Sequence, residues 1–201
     1  LRVMRQVHYS TKNNNSIDVV LFCNGVPVAT AELKTDFTQS VNDAKTQYQV
    51  DRAPASEPLL GFGTRALVHF AVSNDEVWMT TRLAGAQTVF LPFNRGNDGH
   101  AGNGPDERGG SPTSYLWRDV WQRDAWLDVL GKFIHYETAT SKDPKTGVSR
   151  TSHTLIFPRF HQWDAVTRMV ADTRASGPGS RYLVQHSAGS GKTRTIAWTA
   201  H

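Results

Sequence analysis

The chain has 201 residues, which is enough to bury a hydrophobic core in one domain or one and a half. Its composition is ordinary for a globular protein, and the net charge of +4 is compatible with a nucleic-acid partner. The single cysteine, Cys23, excludes a framework of internal disulfides and fits a reducing cytoplasm. No run of residues reaches transmembrane length, and no signal peptide opens the chain. Because the first residue is Leu1, we expect a fragment of a longer protein.

A predicted β-hairpin over residues 16–34 carries the residues that best indicate a chemistry. Two apolar runs flank Asn24-Gly25, a strong hairpin signal, and place Asp18 in the first strand and Glu32 in the second. Glu32 and Lys34 share a face because side chains alternate along a strand. Mg²⁺ is typically held by one or two carboxylates plus water and phosphate oxygens. The cluster therefore predicts a Mg²⁺ site for cutting a phosphodiester.

The register of this hairpin decides whether the two acids meet. Regular pairing around a two-residue turn would place Asp18 opposite Ala31, on the other face of the sheet from Glu32. The site therefore requires a one-residue shift, through a three-residue loop or a bulge, and Pro27 favours irregular pairing because it lacks an N–H. The alternative is a surface Glu/Lys pair on a half-exposed strand, since acid-x-Lys triplets also arise by chance.

A helix is predicted to follow the hairpin and to run to about Arg52, with Thr38 or Ser40 as its cap. Lys45 and Gln47 are expected to lean back over the acidic pair. The residues predicted to face the core recur at helical spacing: Val41, Ala44 and Tyr48.

Further elements are predicted from local patterns along the first two thirds of the chain. His69 is expected to be a buried core histidine, and 95–111, with six glycines, a mobile surface loop. Strands are expected over 66–73, 76–83 and 88–93, and 1–9 is a leading strand or the end of a truncated element. Helices are expected over 115–122 and 124–133, with Trp117, Trp121 and Trp126 in the core rather than stacked on bases.

The last third of the chain ends in a candidate phosphate-binding loop. The polar, basic segment 138–152 is typical of an interdomain linker that could contact DNA. A helix over 160–174 and a short strand over 182–185 are predicted before His186-Ser-Ala-Gly-Ser-Gly-Lys-Thr193, which opens a helix. The loop N–H groups would cradle phosphate, Lys192 would reach the β- and γ-phosphates of ATP, and the Thr193 hydroxyl would ligate Mg²⁺. Later ATPase motifs are absent, so this chain is not expected to complete an ATPase site.

An Asp…Glu-x-Lys hairpin followed by a helicase-type phosphate loop resembles the restriction (R) subunit of Type I restriction–modification enzymes. The resemblance implies an α/β fold, in which a PD-(D/E)xK endonuclease domain with a central mixed sheet flanked by helices precedes the first strand and phosphate loop of a RecA-like domain. The segments that carry it are IDVVLFCNGVPVATAELK, DAKTQYQVDR, VHFAVSNDEVWMTTRL, TVFLPFN, FPRFHQWDAV and QHSAGSGKT.

The resemblance also implies residue roles. Asp18 and Glu32 match the metal-binding acids of the family and Lys34 its catalytic lysine. Gln47 matches the glutamine of a Q-x-x-x-Y motif whose tyrosine position is an aspartate here, with Tyr48 as a candidate substitute. Upstream of the phosphate loop, one glutamine looks like the residue that reads adenine. The residues implied for the nucleotide are Gln162, Gly189, Ser190, Gly191, Lys192 and Thr193.

We therefore expect an endonuclease domain over 1–137, a linker over 138–154 and the truncated start of a RecA-like ATPase/translocase domain over 155–201. The implied function is ATP-dependent translocation and Mg²⁺-dependent cleavage of unmodified double-stranded DNA in the cytoplasm. The implied partners are DNA and the modification and specificity subunits, with no membrane. One alternative is a DNA-binding or assembly module with an inactive nuclease site, appended to a superfamily 2 helicase. Another is a plain P-loop ATPase or helicase whose N-terminal domain serves another purpose.

Overall fold

A six-stranded mixed sheet forms the centre of the computed structural model, which describes residues 1–35 and 39–200. The strands lie in chain order across the sheet, and all neighbours are antiparallel except β3 and β4, which are parallel. The mixed α/β class predicted from the sequence is therefore confirmed. The strands are Arg2–His8 (β1), Ser16–Cys23 (β2), Val26–Leu33 (β3), Val68–Val72 (β4), Val77–Thr80 (β5) and Leu91–Pro92 (β6).

The hairpin of β2 and β3 contains the predicted one-residue shift. Asn24 and Gly25 form a two-residue turn with positive φ values of 50° and 82°. The register changes between Leu21, which pairs with Ala29, and Phe22, which pairs with Pro27, so Val28 is the extra residue of a bulge. Beyond the bulge the register brings position 18 opposite position 32, as the predicted site requires.

The helix after β3 makes the crossover that a parallel strand pair needs. It begins at Ser40, whose N–H donates to the Asp43 carboxylate at 2.6 Å, whereas Thr38 lies outside the described residues. The α-helix Val41–Thr46 (α1) continues as a π-helical turn, Gln47–Asp51. The predicted core stripe is confirmed, since Val41, Ala44 and Tyr48 are all buried.

The second β block forms as predicted at β4 and β5, and His69 is buried at 1% exposure. The strand predicted over 88–93 is limited to β6. Thr88 Oγ1 accepts from the N–H of Ala84 and donates to Gly85 O, which holds the segment before β6 in a local turn. Pro92 has no N–H to extend the ladder.

The predicted loop over 95–111 has no helix or regular strand, and its carboxylate Asp106 anchors it. Asp106 accepts hydrogen bonds from Ser114 Oγ at 2.7 Å and from Arg118 Nη1 at 2.9 Å. Its pKa is lowered to about 2, mainly by the Ser114 bond and the N–H of Arg108. Mobility of the loop stays a prediction.

Short helices follow the loop: a π-helical turn, Leu116–Val120, then the α-helix Arg123–Asp128 (α2) and a second π-helical turn, Val129–Phe133. The core interpretation is confirmed for Trp126, which is fully buried, and Trp121 packs against the same core. It is wrong for Trp117, which is 44% exposed because it points away from the stripe that Leu116 and Val120 bury.

The segment predicted as a linker lies in an antiparallel hairpin, His135–Lys142 (β7) with Ser149–Ile156 (β8). The helix Phe160–Ser176 (α3) confirms the prediction over 160–174. Phe157, Phe160 and Trp163 pack in the hydrophobic cluster that also contains Phe70 of the sheet. One core therefore spans both sides of the predicted boundary, and the division into domains stays a prediction.

The strand predicted over 182–185 is wrong. No strand in the described part of the chain pairs with these residues, and Leu183 is 94% exposed, because an apolar run becomes a strand only when a neighbour supplies hydrogen bonds. The predicted helix after the loop forms as Lys192–Ala200 (α4).

Among residues 1–35 and 39–200, no helix has the length and hydropathy to cross a membrane.

Candidate active site

Two carboxylates meet where β2 and β3 run beside each other. Glu32 is fully buried, and its Oε1 accepts a hydrogen bond from Arg52 Nε at 2.7 Å. Asp18 is partly exposed and accepts from Gln6 Nε2 at Oδ1 and from the N–H of Leu33 at Oδ2, both at 2.8 Å. The predicted juxtaposition of Asp18 and Glu32 is thus present, and the two acids differ in burial and in partners.

Burial dominates the electrostatics of Glu32. Loss of water raises its pKa from 4.5 to about 7, against the opposing hydrogen bond and charge of Arg52, and the Asp18 carboxylate raises it further. Glu32 Oε2 has no hydrogen-bond partner although it is buried. A buried carboxylate oxygen without a partner is costly, so this group suits a cation or, when Glu32 is protonated, a hydrogen bond to the Asp18 carboxylate, which also contributes to the raised pKa.

Arg52 belongs to this site, although the sequence reasoning gave it no role beyond ending a helix. Its side chain is 7% exposed, and its Nη2 donates to Ser16 O at 2.9 Å while its Nε holds Glu32. The guanidinium thereby ties the end of the π-helical turn to both strands of the hairpin. A basic residue in the helix that follows an acidic hairpin was the signal available in the sequence.

The other predicted residues make no hydrogen bond or ion pair with Asp18 or Glu32 within the described part of the chain. Lys34 is partly exposed at the end of β3, and its charge lowers the pKa of Asp43, after the larger effect of the Ser40 hydrogen bonds. Gln47 Oε1 is buried without a hydrogen-bond partner. Lys45 does not lean over the acids as expected, because its ammonium lies 3.3 Å from the centre of the Trp78 ring.

Tyr48 is part of a buried polar chain rather than of an exposed catalytic surface. Thr30 Oγ1 hydrogen-bonds to Tyr48 Oη at 2.8 Å and to His69 Nδ1 at 2.7 Å. Burial raises the pKa of Tyr48 and lowers that of His69 from 6.5 to about 3, so the imidazole is neutral. Asp51, at the tyrosine position of the implied motif, is exposed.

The donor set suits a hard divalent cation. Asp18 and Glu32 supply carboxylate oxygens, and Glu32 Oε2 is the unpartnered one. Within residues 1–35 and 39–200, no group of three or more His, Cys, Asp or Glu side chains could hold a metal. Two carboxylates, completed by water or phosphate oxygens, are what Mg²⁺ typically takes and are too few for a closed zinc site.

The glycine-rich loop lies at the N-terminus of α4, as predicted. Lys192 Nζ donates to the carbonyls of His186 and Ser187 at 3.1 and 3.0 Å. Gly189 and Gly191 have positive φ values of 72° and 84°. A Cβ on Gly191 would also lie 2.5 Å from Gln162 Nε2, so this position requires glycine.

Gln162 fastens this loop to α3. Its Nε2 donates to Ser190 O at 3.2 Å and to Gly191 O at 3.0 Å, and its Oε1 accepts from the N–H of Arg159 at 2.9 Å. Both ends of the amide are engaged within the protein, so reading adenine would require Gln162 to exchange these bonds. Ser190 Oγ is buried without a hydrogen-bond partner, whereas Thr193 is exposed.

The fold and the paired carboxylates together define an α/β protein with a candidate nuclease site. Residues 1–88 match the family model described as the N terminus of the Type I restriction enzyme R protein. Over 94% of its length the chain is 28% identical to a protein of Methanocaldococcus jannaschii named "Putative type I restriction enzyme MjaVIIIP endonuclease subunit". These matches confirm the resemblance to Type I restriction enzyme R subunits that the sequence indicated.

The match to this curated relative covers 17% of the relative's own length, so the chain corresponds to about a sixth of it. No solved structure is significantly similar to the chain.

Proposed function

We propose that the chain is the N-terminal part of the restriction subunit of a Type I system, and that its β2–β3 hairpin carries the phosphodiesterase site. The observation that supports this most directly is the unpartnered Glu32 Oε2, buried beside Asp18 on a hairpin whose bulge brings the two acids together. A structural acid would be expected to use both oxygens within the protein.

Asp18 and Glu32 would hold Mg²⁺ in this site. When bound there, the ion lowers the pKa of a water molecule and offsets charge on the scissile phosphate. Arg52 fixes Oε1 of Glu32 and so leaves Oε2 free for the cation. Lys34, the residue directly after β3, would add positive charge that stabilises the phosphate as negative charge develops on it.

The loop from Gly189 to Thr193 would bind the phosphates of ATP in the intact subunit. Lys192 already lies over the loop carbonyls, where an incoming phosphate would replace His186 O and Ser187 O as its partners. ATP-driven translocation of duplex DNA, with modification and specificity subunits, would then license cutting of unmodified DNA by the hairpin site.

The alternative of a DNA-binding or assembly module with an inactive nuclease site has one observation in its favour. Arg52 already neutralises Glu32 at 2.7 Å, and both oxygens of Asp18 accept hydrogen bonds. A cation must therefore compete with an internal positive charge. The two functions differ in what they expect of Asp18 and Glu32. Cleavage of DNA by the subunit requires these acids if the hairpin site is active and does not require them if it is inactive.

The test uses the full-length subunit assembled with its partners, measuring DNA cleavage and ATP hydrolysis on the same unmodified plasmid. Lys34→Ala should reduce cleavage by about a hundredfold or more and leave ATP hydrolysis intact. Lys192→Ala should abolish both ATP hydrolysis and cleavage. Lys12→Ala, which removes an exposed lysine of the connection before β2 that belongs to neither set of site residues, should change neither. Cleavage by the Lys34→Ala protein at the unaltered rate would refute the nuclease site.

A further inference from the structure

The hairpin of β7 and β8 extends from the protein as a two-stranded ribbon whose outer part buries nothing. All eight residues of β7 and the first six of β8 are exposed, and only Leu155 and Ile156 at the base are buried. An isolated two-stranded hairpin is marginally stable in water. Core packing therefore does not explain why the outer part of the ribbon is an ordered element.

The base of the ribbon is fastened to the segment directly after β5 and to α4. Thr81 Oγ1 donates to Leu155 O at 3.0 Å, and Arg82 Nη2 donates to His153 O at 2.5 Å. Glu137 forms an ion pair with Arg194 of α4 at 3.5 Å. The ribbon therefore projects from a fixed base and keeps a defined direction.

Side-chain pairs across the two strands support the outer ribbon, which has no core. The two strands pair residue for residue from His135–Ile156 to Lys142–Ser149. Thr138 Oγ1 lies 3.1 Å from His153 Nδ1, and Thr140 Oγ1 lies 3.3 Å from Thr151 Oγ1 on the opposite strand. Cross-strand pairs of this kind stabilise an exposed sheet.

The tip of the ribbon is positively charged. Lys142, Lys145 and Arg150 are exposed, and none of them forms an ion pair with another described residue. Asp143 is the single acid of segment 138–152. Its carboxylate accepts hydrogen bonds from two N–H groups of the turn, those of Lys145 at 2.8 Å and Thr146 at 3.1 Å. Three cations without an acidic partner on a polar hairpin suit a polyanion.

We propose that this ribbon is a duplex-DNA contact, in which Lys142, Lys145 and Arg150 bind backbone phosphates. Eight residues of strand span about 27 Å, comparable to most of a helical turn of DNA, and a groove of about 12 Å admits a two-stranded ribbon. Ser141 and Ser149, which are exposed near the tip, add hydroxyl donors for phosphate oxygens. The proposed contact is independent of base sequence, because the three cations are assigned to backbone phosphates, which carry no sequence information. The proposal rests on the proposed function, since it takes duplex DNA as the substrate.

The test measures binding of the 201-residue chain to a labelled duplex of arbitrary sequence, by fluorescence anisotropy without divalent metal or nucleotide. The variant combines Lys142→Ala, Lys145→Ala and Arg150→Ala. Between about 50 and 200 mM salt, loss of three phosphate contacts should reduce the slope of log K against log salt by about 2 to 3, and should weaken binding roughly tenfold to a hundredfold.

The matched control removes the same charge elsewhere, as Arg65→Ala, Arg174→Ala and Arg181→Ala, three exposed cations that form no ion pair with another described residue. It should retain nearly the unaltered affinity, and exchange of lysine and arginine at the three ribbon positions should retain binding as well. If both triple variants lost the same affinity for the duplex, the effect would be one of net charge alone, and the proposal would be overturned. An unaltered slope in the ribbon variant, or no binding by the original chain at low salt, would also overturn it.

This outcome is separate from the outcome for the nuclease site, because the assay requires neither cleavage nor metal. Suppose that the 201-residue chain binds DNA through the ribbon and that the full-length Lys34→Ala subunit still cuts DNA. The ribbon proposal would then stand, and the nuclease site on the β2–β3 hairpin would be refuted.

Discussion

His69 should make the stability of this protein depend on pH in a way that one substitution can isolate. The imidazole is 1% exposed, and its Nδ1 hydrogen-bonds to Thr30 Oγ1 at 2.7 Å. Burial lowers its pKa from 6.5 to about 3. Between these values the unfolded chain binds a proton that the folded chain excludes, so the free energy of unfolding falls as the pH falls, by up to about 1.4 kcal/mol per pH unit.

Glu32 has the opposite effect over nearly the same range. Its pKa is raised from 4.5 to about 7, so between these values the folded chain holds a proton that the unfolded chain has released. Stability then falls as the pH rises, again by up to about 1.4 kcal/mol per unit. From about pH 4.5 to 6.5 the two contributions cancel, and the unaltered chain alone would not reveal either of them.

The measurement is therefore the difference in unfolding free energy between the unaltered chain and His69→Asn, from urea titrations at several pH values. Asparagine retains a polar atom near Nδ1 for Thr30 but does not titrate. Relative to the unaltered chain, the variant should gain about 2 kcal/mol between pH 6.5 and 4.5, because the slope reaches its full value only below the pKa of the unfolded chain. The control His100→Asn changes an exposed loop side chain and should follow the unaltered curve throughout. A difference that stays constant with pH for His69→Asn would refute the buried neutral imidazole.

Three further substitutions test the contacts around the site. Arg52→Met leaves Glu32 buried without its partner and should cost about 3 kcal/mol in a urea titration at pH 8, and less at pH 6, where Glu32 is protonated; equal costs at both pH values would contradict this. Tyr48→Phe should lower stability by about 1 kcal/mol through the lost Thr30 bond and leave cleavage by the full subunit unchanged; lost cleavage would make Tyr48 catalytic. Asp106→Ala should speed limited proteolysis within 95–111, because it releases Ser114 and Arg118; an unchanged cleavage rate would show that Asp106 does not hold the loop.

The hairpin shows how far local sequence rules reach. The Asn-Gly turn and the need to bring Asp18 and Glu32 to one face together required a one-residue shift, and the structure contains it. The residue at which the bulge forms was not predictable, since an extra residue at any of several positions after the turn would bring Asp18 and Glu32 to the same face. The bulge forms at Val28, while Pro27 pairs with Phe22 in the ladder.

Arg52 was missed because its partner lies 20 positions away in the sequence. The ion pair depends on how the crossover helix lies against the sheet, and helical periodicity predicts a buried face but not the angle at which that face crosses the strands. Helical periodicity therefore predicted that Tyr48 is in the core, but it gave no role to Arg52 at the end of the same helical segment.

The two misjudged segments differ in where their hydrogen-bond partners come from. Residues 138–152 are polar on both faces, so they lack the alternation that marks a half-buried strand, yet they pair with each other across a tight turn. Residues 182–185 have the apolar run of a buried strand, but no described strand lies beside them. Strand formation followed pairing in both cases rather than hydropathy.

A calorimetric titration of the chain with Mn²⁺ and Mg²⁺ tests the hairpin site most directly. Asp18→Asn and Glu32→Gln keep the shape of each side chain and remove its charge, and Asp51→Asn removes an exposed carboxylate nearby as a control. A metal held by the acidic pair should bind the original chain and the control, and affinity should fall at least about tenfold in each of the other two variants. Metal binding that survives both Asp18→Asn and Glu32→Gln would contradict a nuclease site on this hairpin.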